Sequence, residues 1–301
     1  MTEYFTYNTS PKTVVKPSPG PLATKETFDK MLDAKRRNGD DYWTVMQEAF
    51  AEDLQNLPFD RFKVWASTMM VPFMVKRVFA PYVVNSMLAA SKHPEVLEAL
   101  IEPMVGLTRE DYEQHYKVFE DIPVSMNRIQ HVAHLCFTDW VGKIQDLDTI
   151  VELGAGIGEM ADVVRKMGFK GKYVIYDFPV LLEIQKRHHE QLGLENIEYV
   201  SDVNELGAAD LCIATWSLTE MPLDLREKII GQIGETKNWL IAYSNQIFGI
   251  DNYKYIAEDF VPRFKEHEIE YTDIPFMPWD GGSKYLSVKH TSKIQRNTPN
   301  I

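Results

Sequence analysis

The sequence has few cysteines and few basic residues, and each shortage excludes a class of protein. Its two cysteines, Cys136 and Cys212, both lie in apolar surroundings, which excludes a disulfide-stapled fold and indicates reduced core residues. Lys and Arg number 32 against 44 Asp and Glu, a net charge of −12. Because no basic patch interrupts this acidic surplus, we expect no nucleic-acid partner. The apolar share of 45% suffices for a large globular core.

Signals for export or membrane insertion are also missing. Residues 1–24 are polar and Pro-rich without an apolar core region, so we expect no secretory signal and a cytoplasmic location. The most apolar stretch, residues 64–90, carries Lys76 and Arg77 at its centre. Each charge near mid-bilayer would cost about 2.5–3.5 kcal/mol. We therefore predict packed helices there and no membrane span.

Changes in hydrophobic period divide the chain into three parts. Residues 1–24 form an extended Pro-rich arm, and residues 25–145 form an all-helical cap or dimerisation domain, in which Thr108 and Asp111 mark a helix start. Residues 146–301 form the third part, a separate α/β domain. The arm and the apolar helices favour a homodimer.

In the third part, short apolar runs alternate with amphipathic helices. Such alternation predicts a doubly wound, Rossmann-like, mostly parallel sheet of seven strands that ends in an antiparallel hairpin. The predicted strands are residues 149–153, 173–176, 197–200, 211–214, 239–243, 269–274 and 284–289. The predicted helices are residues 158–167, 179–192, 223–233 and 253–264.

A glycine-rich run, Val151-Glu-Leu-Gly-Ala-Gly-Ile-Gly158, lies between the first predicted strand and its helix. Glycine lets the backbone turn sharply and lets a ligand lie directly on the main chain. Dinucleotide folds use G-x-G-x-x-G, but here Glu159 stands where the third glycine would fall, and a carboxylate has the wrong charge for a pyrophosphate. Glu152, at the strand end, suits a ligand with a positive amino or sulfonium group.

Acidic residues end the next two strands as well. Asp177 lies 25 residues after Glu152, where a carboxylate can accept hydrogen bonds from both hydroxyls of a ribose. Asp202 ends the third strand, where it or a neighbouring amide can meet an adenine edge.

The pattern of Glu152, Gly154, Gly156 and Gly158, with Asp177 and Asp202 at later strand ends, resembles the class I S-adenosylmethionine-dependent methyltransferases. The resemblance covers about residues 146–301 and implies S-adenosyl-L-methionine as cofactor. It implies that the glycine loop cradles the methionine moiety, that the second acid holds the ribose, and that the third strand end meets adenine. The residues it assigns to the cofactor are Glu152, Gly154, Ala155, Gly156, Gly158, Asp177, Phe178, Asp202, Val203 and Trp216. For Trp216, a place in the core is the equal alternative.

Two further segments are similar to the sugar O-methyltransferase family. They are Tyr176-Asp-Phe-Pro-Val-Leu-Leu-Glu-Ile-Gln185 and Trp216-Ser-Leu-Thr-Glu-Met221. The chain departs from that family at Phe178, where Leu is common, and in a glycine loop with fewer glycines. This likeness implies O-methylation of a small-molecule acceptor, a hydroxyl of a sugar or sugar-like metabolite.

Candidate catalytic residues are Glu220, after the fourth strand, and His131 with His134, three apart on one helix face. Glu220 would bind or deprotonate the acceptor, or simply complement the helix that Pro222 begins. The two histidines would supply a base or lie at the surface, and without an acidic or Cys partner they make a poor metal site, so we predict no metal. Candidate acceptor-binding residues are Arg128, Ser217, Tyr243 and Asn245. We expect His188 and His189 on a solvated helix face.

The sequence therefore predicts a methyltransferase with a helical cap over an S-adenosyl-L-methionine site. Two alternatives stay open. One is an N- or O-methyltransferase acting on a specialised metabolite or peptide. The other is a cofactor-binding pseudoenzyme whose helical domain binds a partner protein.

Overall fold

The computed structural model describes residues 42–54, 80–104, 108–115, 124–274 and 282–291. Within these ranges the chain builds a seven-stranded sheet in the order β3-β2-β1-β4-β5-β9-β8. The strands are β1 (Thr149–Leu153), β2 (Lys172–Tyr176), β3 (Ile197–Val200), β4 (Leu211–Thr215), β5 (Asn238–Ser244), β8 (His267–Asp273) and β9 (Ser283–His290). A separate two-stranded ribbon pairs β6 (Gln246–Ile247) with β7 (Ile250–Asp251).

The pairing of the strands confirms the predicted sheet. Strands β1 to β5 run parallel to one another. Strand β9 pairs antiparallel with both β5 and β8, so the C-terminal hairpin closes the sheet through its second strand. Apolar side chains on both faces of β1 and β4 explain why these strands occupy the buried centre.

Helices precede and alternate with the strands. They are α1 (Tyr42–Leu54), α2 (Ala80–Ser91), α3 (Leu97–Leu100), α4 (Arg109–His115), α5 (Met126–Phe137), α6 (Glu159–Lys166), α7 (Pro179–Leu192), α8 (Leu223–Ile233) and α9 (Asn252–Tyr255). Helix α4 begins as predicted, because the Thr108 hydroxyl accepts from the Asp111 amide at 3.1 Å while the Asp111 carboxylate accepts from the Thr108 amide at 2.9 Å.

The segment predicted as one helix over residues 253–264 changes type along its length. It starts as α9, continues as a π turn over Ile256–Phe260 and ends as a 3-10 turn over Val261–Arg263. Pro262 has no N–H to donate to the preceding turn, which accounts for the loss of regular α geometry there.

Two hydrophobic cores cover the two faces of the sheet. On the first face, Ile150, Tyr173 and Ile213 pack with residues of α5 and α6. On the second face, Val151 and Cys212 pack with residues of α8 and the α9 segment. Residues of α2 and α3 join the first core, so these N-terminal helices share buried surface with the sheet. Both cysteines are free thiols, with Cys212 buried and Cys136 half-buried.

Several sequence-based predictions lie outside the described residues. These are the arm over residues 1–24, the helices predicted before residue 42, and most of the apolar stretch over residues 64–90. No helix in the part of the chain that the structure describes has the length and apolar character needed to cross a bilayer.

A buried ion pair joins α5 to α6. Arg128 is 0% exposed, and its Nη2 lies 2.7 Å from Oδ2 of Asp162. Its Nε donates to the Ala99 carbonyl at 3.0 Å, and the Ser125 hydroxyl caps the start of α5 by accepting from the Arg128 amide. Arg128 therefore ties α3, α5 and α6 together. This structural role differs from the acceptor-binding role that the sequence predicted for Arg128.

Replacing Arg128 with Met should destabilise the fold by about 3 kcal/mol, because Asp162 would keep a buried charge with Lys166 as its remaining cation. Chemical denaturation of R128M, D162L and the double variant measures this. The double variant should be more stable than R128M. The ion pair would be contradicted if the double variant were no more stable than R128M, or if its loss of stability equalled the sum of the two single losses.

Candidate functional site

The sheet has its topological switch point between β1 and β4. The chain leaves β1 towards β2 and β3, whereas β4 continues towards β5, and in open α/β sheets the ligand crevice lies at this position, at the carboxyl ends of the two strands. The glycine loop, residues 154–158, follows β1 at this point, and residues 216–220 follow β4. The Ser217 hydroxyl donates to the Leu153 carbonyl and so fastens the two segments to each other.

All three glycines of the loop have positive φ angles, +68° at Gly154, +60° at Gly156 and +84° at Gly158. A Cβ at Gly154 would lie 2.5 Å from Cβ of Ser217, and one at Gly158 would lie 2.5 Å from Nε2 of His189. Neither distance is tolerable, so both positions need glycine for space as well as for conformation.

Glu152 is 2% exposed, and its Oε2 accepts a hydrogen bond of 2.7 Å from the Tyr173 hydroxyl. Burial raises the pKa of Glu152 to about 8, and the nearby charge of Asp177 adds to this rise, although the Tyr173 hydrogen bond opposes it. A cation placed beside this carboxyl would favour its ionised form.

Asp177 follows β2 and faces the glycine loop. Its Oδ1 accepts from the Phe178 amide at 2.8 Å, and its Oδ2 accepts from Nε2 of Gln185 at 2.7 Å. Burial raises the pKa of Asp177 to about 6, against the opposing effect of hydrogen bonds from Phe178, Gln185 and the loop amides of Ala155 and Gly156. The carboxyl is thus fixed at the loop by donors from both sides.

The neighbouring candidate cofactor residues have different surroundings. The Phe178 ring is half-buried, 6.3 Å between centroids from Trp43 of α1. Asp202 is exposed and accepts from the amide and side chain of Asn204, so it caps the 3-10 turn over Val203–Glu205. Val203 packs against the second core.

Trp216 begins the segment after β4 in a left-handed conformation, with φ of +67°, which is uncommon for a bulky residue. Its amide donates to the Ala242 carbonyl at 2.8 Å, and its ring packs against Ala242, Ile274 and Tyr285. The indole Nε1 is buried and has no hydrogen-bond partner in the described part of the chain.

Arg226 of α8 holds the rest of this segment in place. It donates to the Thr219 carbonyl at 2.6 Å and to the Met221 carbonyl at 2.8 Å, and its Nη1 donates to Oδ1 of Asn252. Glu220 is half-buried at the end of the 3-10 turn over Leu218–Glu220, where its amide donates to the Ser217 carbonyl. Glu220 therefore sits on a braced turn beside the crevice.

A row of rings runs from α5 to the hairpin strand β9. His134 is buried, and its Nδ1 lies 2.8 Å from the Tyr285 hydroxyl. Its ring is 6.1 Å from that of His131, and Phe137 stacks on Tyr285 at 5.9 Å. Nδ1 of His131 is buried without a hydrogen-bond partner among the described residues.

Both histidines of the row are neutral at physiological pH. Burial lowers the pKa of His131 to about 3, with the charge of Arg128 as the second cause. Burial lowers the pKa of His134 well below its usual value as well, and His131 adds to this. No group of three or more metal-ligating side chains occurs in the described ranges.

Two expected acceptor residues at the end of β5 lie apart from this row. Tyr243 is buried in the second core, in edge contact with Tyr253, whereas the row lies on the face of Ala242 and Tyr285. Tyr243 therefore does not border the crevice from the side of α5. Asn245 is half-buried, and its carbonyl accepts from the Asn252 amide.

The sequence reasoning missed three side chains of α7 that contact the glycine loop, Gln185, His188 and His189. The two histidines are 0% and 1% exposed, so the prediction of a solvated face was wrong. Their spacing of i, i+3 and i+4 places all three on one helix face, and this was the signal available in the sequence.

The fold is similar to the magnesium protoporphyrin IX methyltransferase of Synechocystis crystallised with bound S-adenosylmethionine, at 14% identity and a TM-score of 0.41, over 54% of this chain and 81% of that chain. It is similar to a SAM-dependent methyltransferase of Aquifex aeolicus, at 15% identity and a TM-score of 0.36, over 46% and 80% of the two chains.

A third similar structure is an O-methyltransferase from neocarzinostatin biosynthesis in complex with S-adenosyl-L-homocysteine and a naphthoic acid. Its identity is 11% and its TM-score 0.39, over 55% of this chain and 57% of that chain. No family model and no curated protein match the sequence. Likeness at this level concerns the fold alone.

The raised pKa of Glu152 predicts how stability depends on pH. The unfolded chain releases this proton near pH 4.5 and the folded chain near pH 8, so the folded state binds more protons between them and loses stability as pH rises. The buried histidines act in the opposite direction, but only below about pH 6.5. Between pH 6.5 and 8 the unmodified chain should lose roughly 2 kcal/mol relative to E152Q.

Chemical denaturation of both chains across this interval measures the difference. Gln keeps an acceptor for the Tyr173 hydroxyl, so E152Q is a close match in shape. A constant difference between the chains would mean that Glu152 is ionised in the folded protein throughout.

Proposed function

We propose that this chain transfers a methyl group from S-adenosyl-L-methionine to a hydroxyl of a small molecule, a sugar or sugar-like metabolite. One observation carries the proposal. The glycine loop lies at the switch point of the sheet with the buried carboxyls of Glu152 and Asp177 at the adjacent strand ends. A glycine-rich main chain between two carboxyls suits an adenosyl group that bears a cationic amino-acid tail.

Charge at the start of α6 argues against a dinucleotide. Phosphates bind helix N-termini because several N–H groups point outward there. The first residue of α6 is Glu159, which is 0% exposed and accepts a 2.7 Å hydrogen bond from Asn127. A pyrophosphate would meet a carboxylate at this position, whereas an ammonium or sulfonium group would be attracted to the same surroundings.

The residues present fit each part of the cofactor. Glu152 has a pKa raised by burial, and a cation beside it would compensate the cost of its charge. Asp177 accepts hydrogen bonds from the Phe178 amide and from Nε2 of Gln185, with the loop amides of Ala155 and Gly156 as further donors, so ribose hydroxyls would share its two oxygens with these groups. Val203, after β3, is the candidate for contact with adenine, whereas the Trp216 ring packs on the side of β5 and β9.

When bound, S-adenosyl-L-methionine supplies an electrophilic methyl group on a sulfonium sulfur. The task of the chain is then to orient the acceptor and to receive its proton. His131 is the candidate base, because its neutral imidazole has a buried Nδ1 without a partner in the described ranges. A hydroxyl that is forming an O–C bond becomes strongly acidic, so even this weakly basic imidazole can accept its proton.

The surroundings of His131 support a small polar acceptor. His134 is hydrogen-bonded to the Tyr285 hydroxyl, and the indole N–H of Trp216, which has no hydrogen-bond partner among the described residues, is a second polar group for an acceptor oxygen. Rings of Phe137 and Tyr285 lie beside these groups. Sugars present both hydroxyls and apolar C–H faces, a combination that matches this mixture. Ser217 and Glu220 border the same crevice.

Binding of S-adenosyl-L-homocysteine, measured by titration calorimetry, tests the cofactor site. D177A should bind it about 5- to 150-fold more weakly, since unpaired ribose hydroxyls cost about 1–3 kcal/mol. D224A, at an exposed carboxylate of α8, serves as the control and should bind like the unmodified chain. An unchanged dissociation constant for D177A would exclude the ribose role.

Turnover of labelled S-adenosyl-L-methionine against panels of sugars, aromatic alcohols, amines and peptides tests the acceptor. H131Q should lower kcat by about 10²–10⁴-fold while leaving cofactor affinity unchanged, as expected for a lost base. E220Q should lower kcat more than cofactor affinity, and H93Q serves as a histidine control distant in sequence. Transfer to nitrogen, or no transfer with any acceptor, would contradict the proposal and favour a specialised N-methyltransferase or a pseudoenzyme.

A further inference from the structure

Three side chains of α7 donate hydrogen bonds to three successive carbonyl oxygens of the glycine loop. Gln185 Nε2 lies 3.0 Å from the Gly156 oxygen, His188 Nδ1 lies 2.9 Å from the Ile157 oxygen, and His189 Nε2 lies 2.8 Å from the Gly158 oxygen. All three donors are at most 1% exposed. A helix that binds a loop in this way replaces the solvent that the loop carbonyls would otherwise require.

The contacts determine the protonation of both rings. A carbonyl oxygen can only accept, so His188 carries its proton on Nδ1 and His189 carries its proton on Nε2. The second nitrogen of His189, Nδ1, lies 2.8 Å from the Tyr199 hydroxyl, which donates to it. Tyr199 of β3 therefore selects the tautomer of His189 that can bind the loop.

The same bonds set the direction of the loop amides. In a planar trans peptide the C=O and N–H groups point in opposite directions. With the Gly156, Ile157 and Gly158 oxygens turned towards α7, the N–H groups of Ile157, Gly158 and Glu159 point away from it. Gln185 also donates to Asp177 at 2.7 Å, so one side chain joins the loop to the carboxyl at the end of β2.

We propose that Gln185, His188 and His189 are positioning residues that hold the glycine loop in its cofactor-binding conformation. The inference rests on the proposed function, because it assigns to α7 a part of the cofactor affinity. None of the three needs to touch the cofactor. They act through the main chain, and His189 also fills the space that a Cβ at Gly158 would occupy.

Two matched pairs of variants test the proposal. Asn places its amide nitrogen near the position of Nδ1, and Gln places its own near that of Nε2, so H188N and H189Q keep a donor whereas H188L and H189L remove it. Since one net hydrogen bond corresponds to about a 2- to 13-fold change in an equilibrium constant, each Leu variant should bind S-adenosyl-L-homocysteine about tenfold more weakly. H188N and H189Q should stay within about threefold of the unmodified chain.

One control and one further variant separate the loop contact from general stability. R187Q alters the same helix at an ion pair with Glu183 that does not reach the loop, and it should bind normally. Y199F removes the donor to Nδ1 of His189 and so allows the tautomer that cannot donate to the Gly158 carbonyl, so we expect Y199F to bind more weakly than H189Q. Leu variants with normal affinity, or donor-keeping variants as weak as the Leu variants, would overturn the proposal. Normal affinity of Y199F would overturn the role assigned to the His189 tautomer.

Hydrogen exchange of the ligand-free chains gives a readout that needs no cofactor. Peptides covering residues 154–160 should exchange faster in H188L and H189L, whereas peptides covering β4 and β5 should not change. This pattern would support the positioning role of Gln185, His188 and His189 even if the unmodified chain did not bind S-adenosyl-L-homocysteine. Lack of binding would contradict only the proposed function. Unchanged exchange in the loop would overturn the positioning role of these side chains.

Discussion

The chain after β1 passes so close to its neighbours that two of its residues have no space for a side chain. Ser217 lies against Gly154 on the side of β4, and His189 lies against Gly158 on the side of α7. The loop is thereby enclosed by two elements that the chain reaches later. The positive φ angles, the bracing of residues 216–220 and the arrangement of α7 all follow from this close approach.

A second constraint is electrostatic. The crevice holds carboxyls at the ends of two adjacent strands, with a third at the start of α6, and burial raises the pKa of Glu152 and Asp177. Such a site disfavours anions and lowers the cost of binding a cation. The buried, neutral imidazoles of α5 contribute no opposing charge. Charge and shape therefore select for the same class of ligand.

The parts of the structure that depend on local patterns were predictable. Strand positions follow from short apolar runs, and the glycine loop and its flanking acids follow from spacing along neighbouring segments. The parity of β5 was also readable, because Trp239, Ile241 and Tyr243 alternate onto the face opposite Ala242. This alternation predicts that Tyr243 lies on the face of the sheet opposite to the row formed by His134 and Tyr285.

Long-range pairing could not be predicted from one sequence. No local sequence pattern around Arg128 predicts that its guanidinium is buried against Asp162. The hydrogen bond between Glu159 and Asn127 has no local signal either. The histidines of α7 illustrate an intermediate case. Their spacing with Gln185 placed them on one helix face, but whether that face meets water or the loop depends on how α7 packs beside the loop.

A crystal structure of the unmodified chain grown with S-adenosyl-L-homocysteine tests the central claim most directly. The account predicts the ligand lying along the main chain of Gly154 to Gly158, with its ribose at Asp177 and its amino group on the side of Glu152. A nucleoside bound elsewhere, or a pyrophosphate-bearing ligand seated on the loop in its place, would contradict the account.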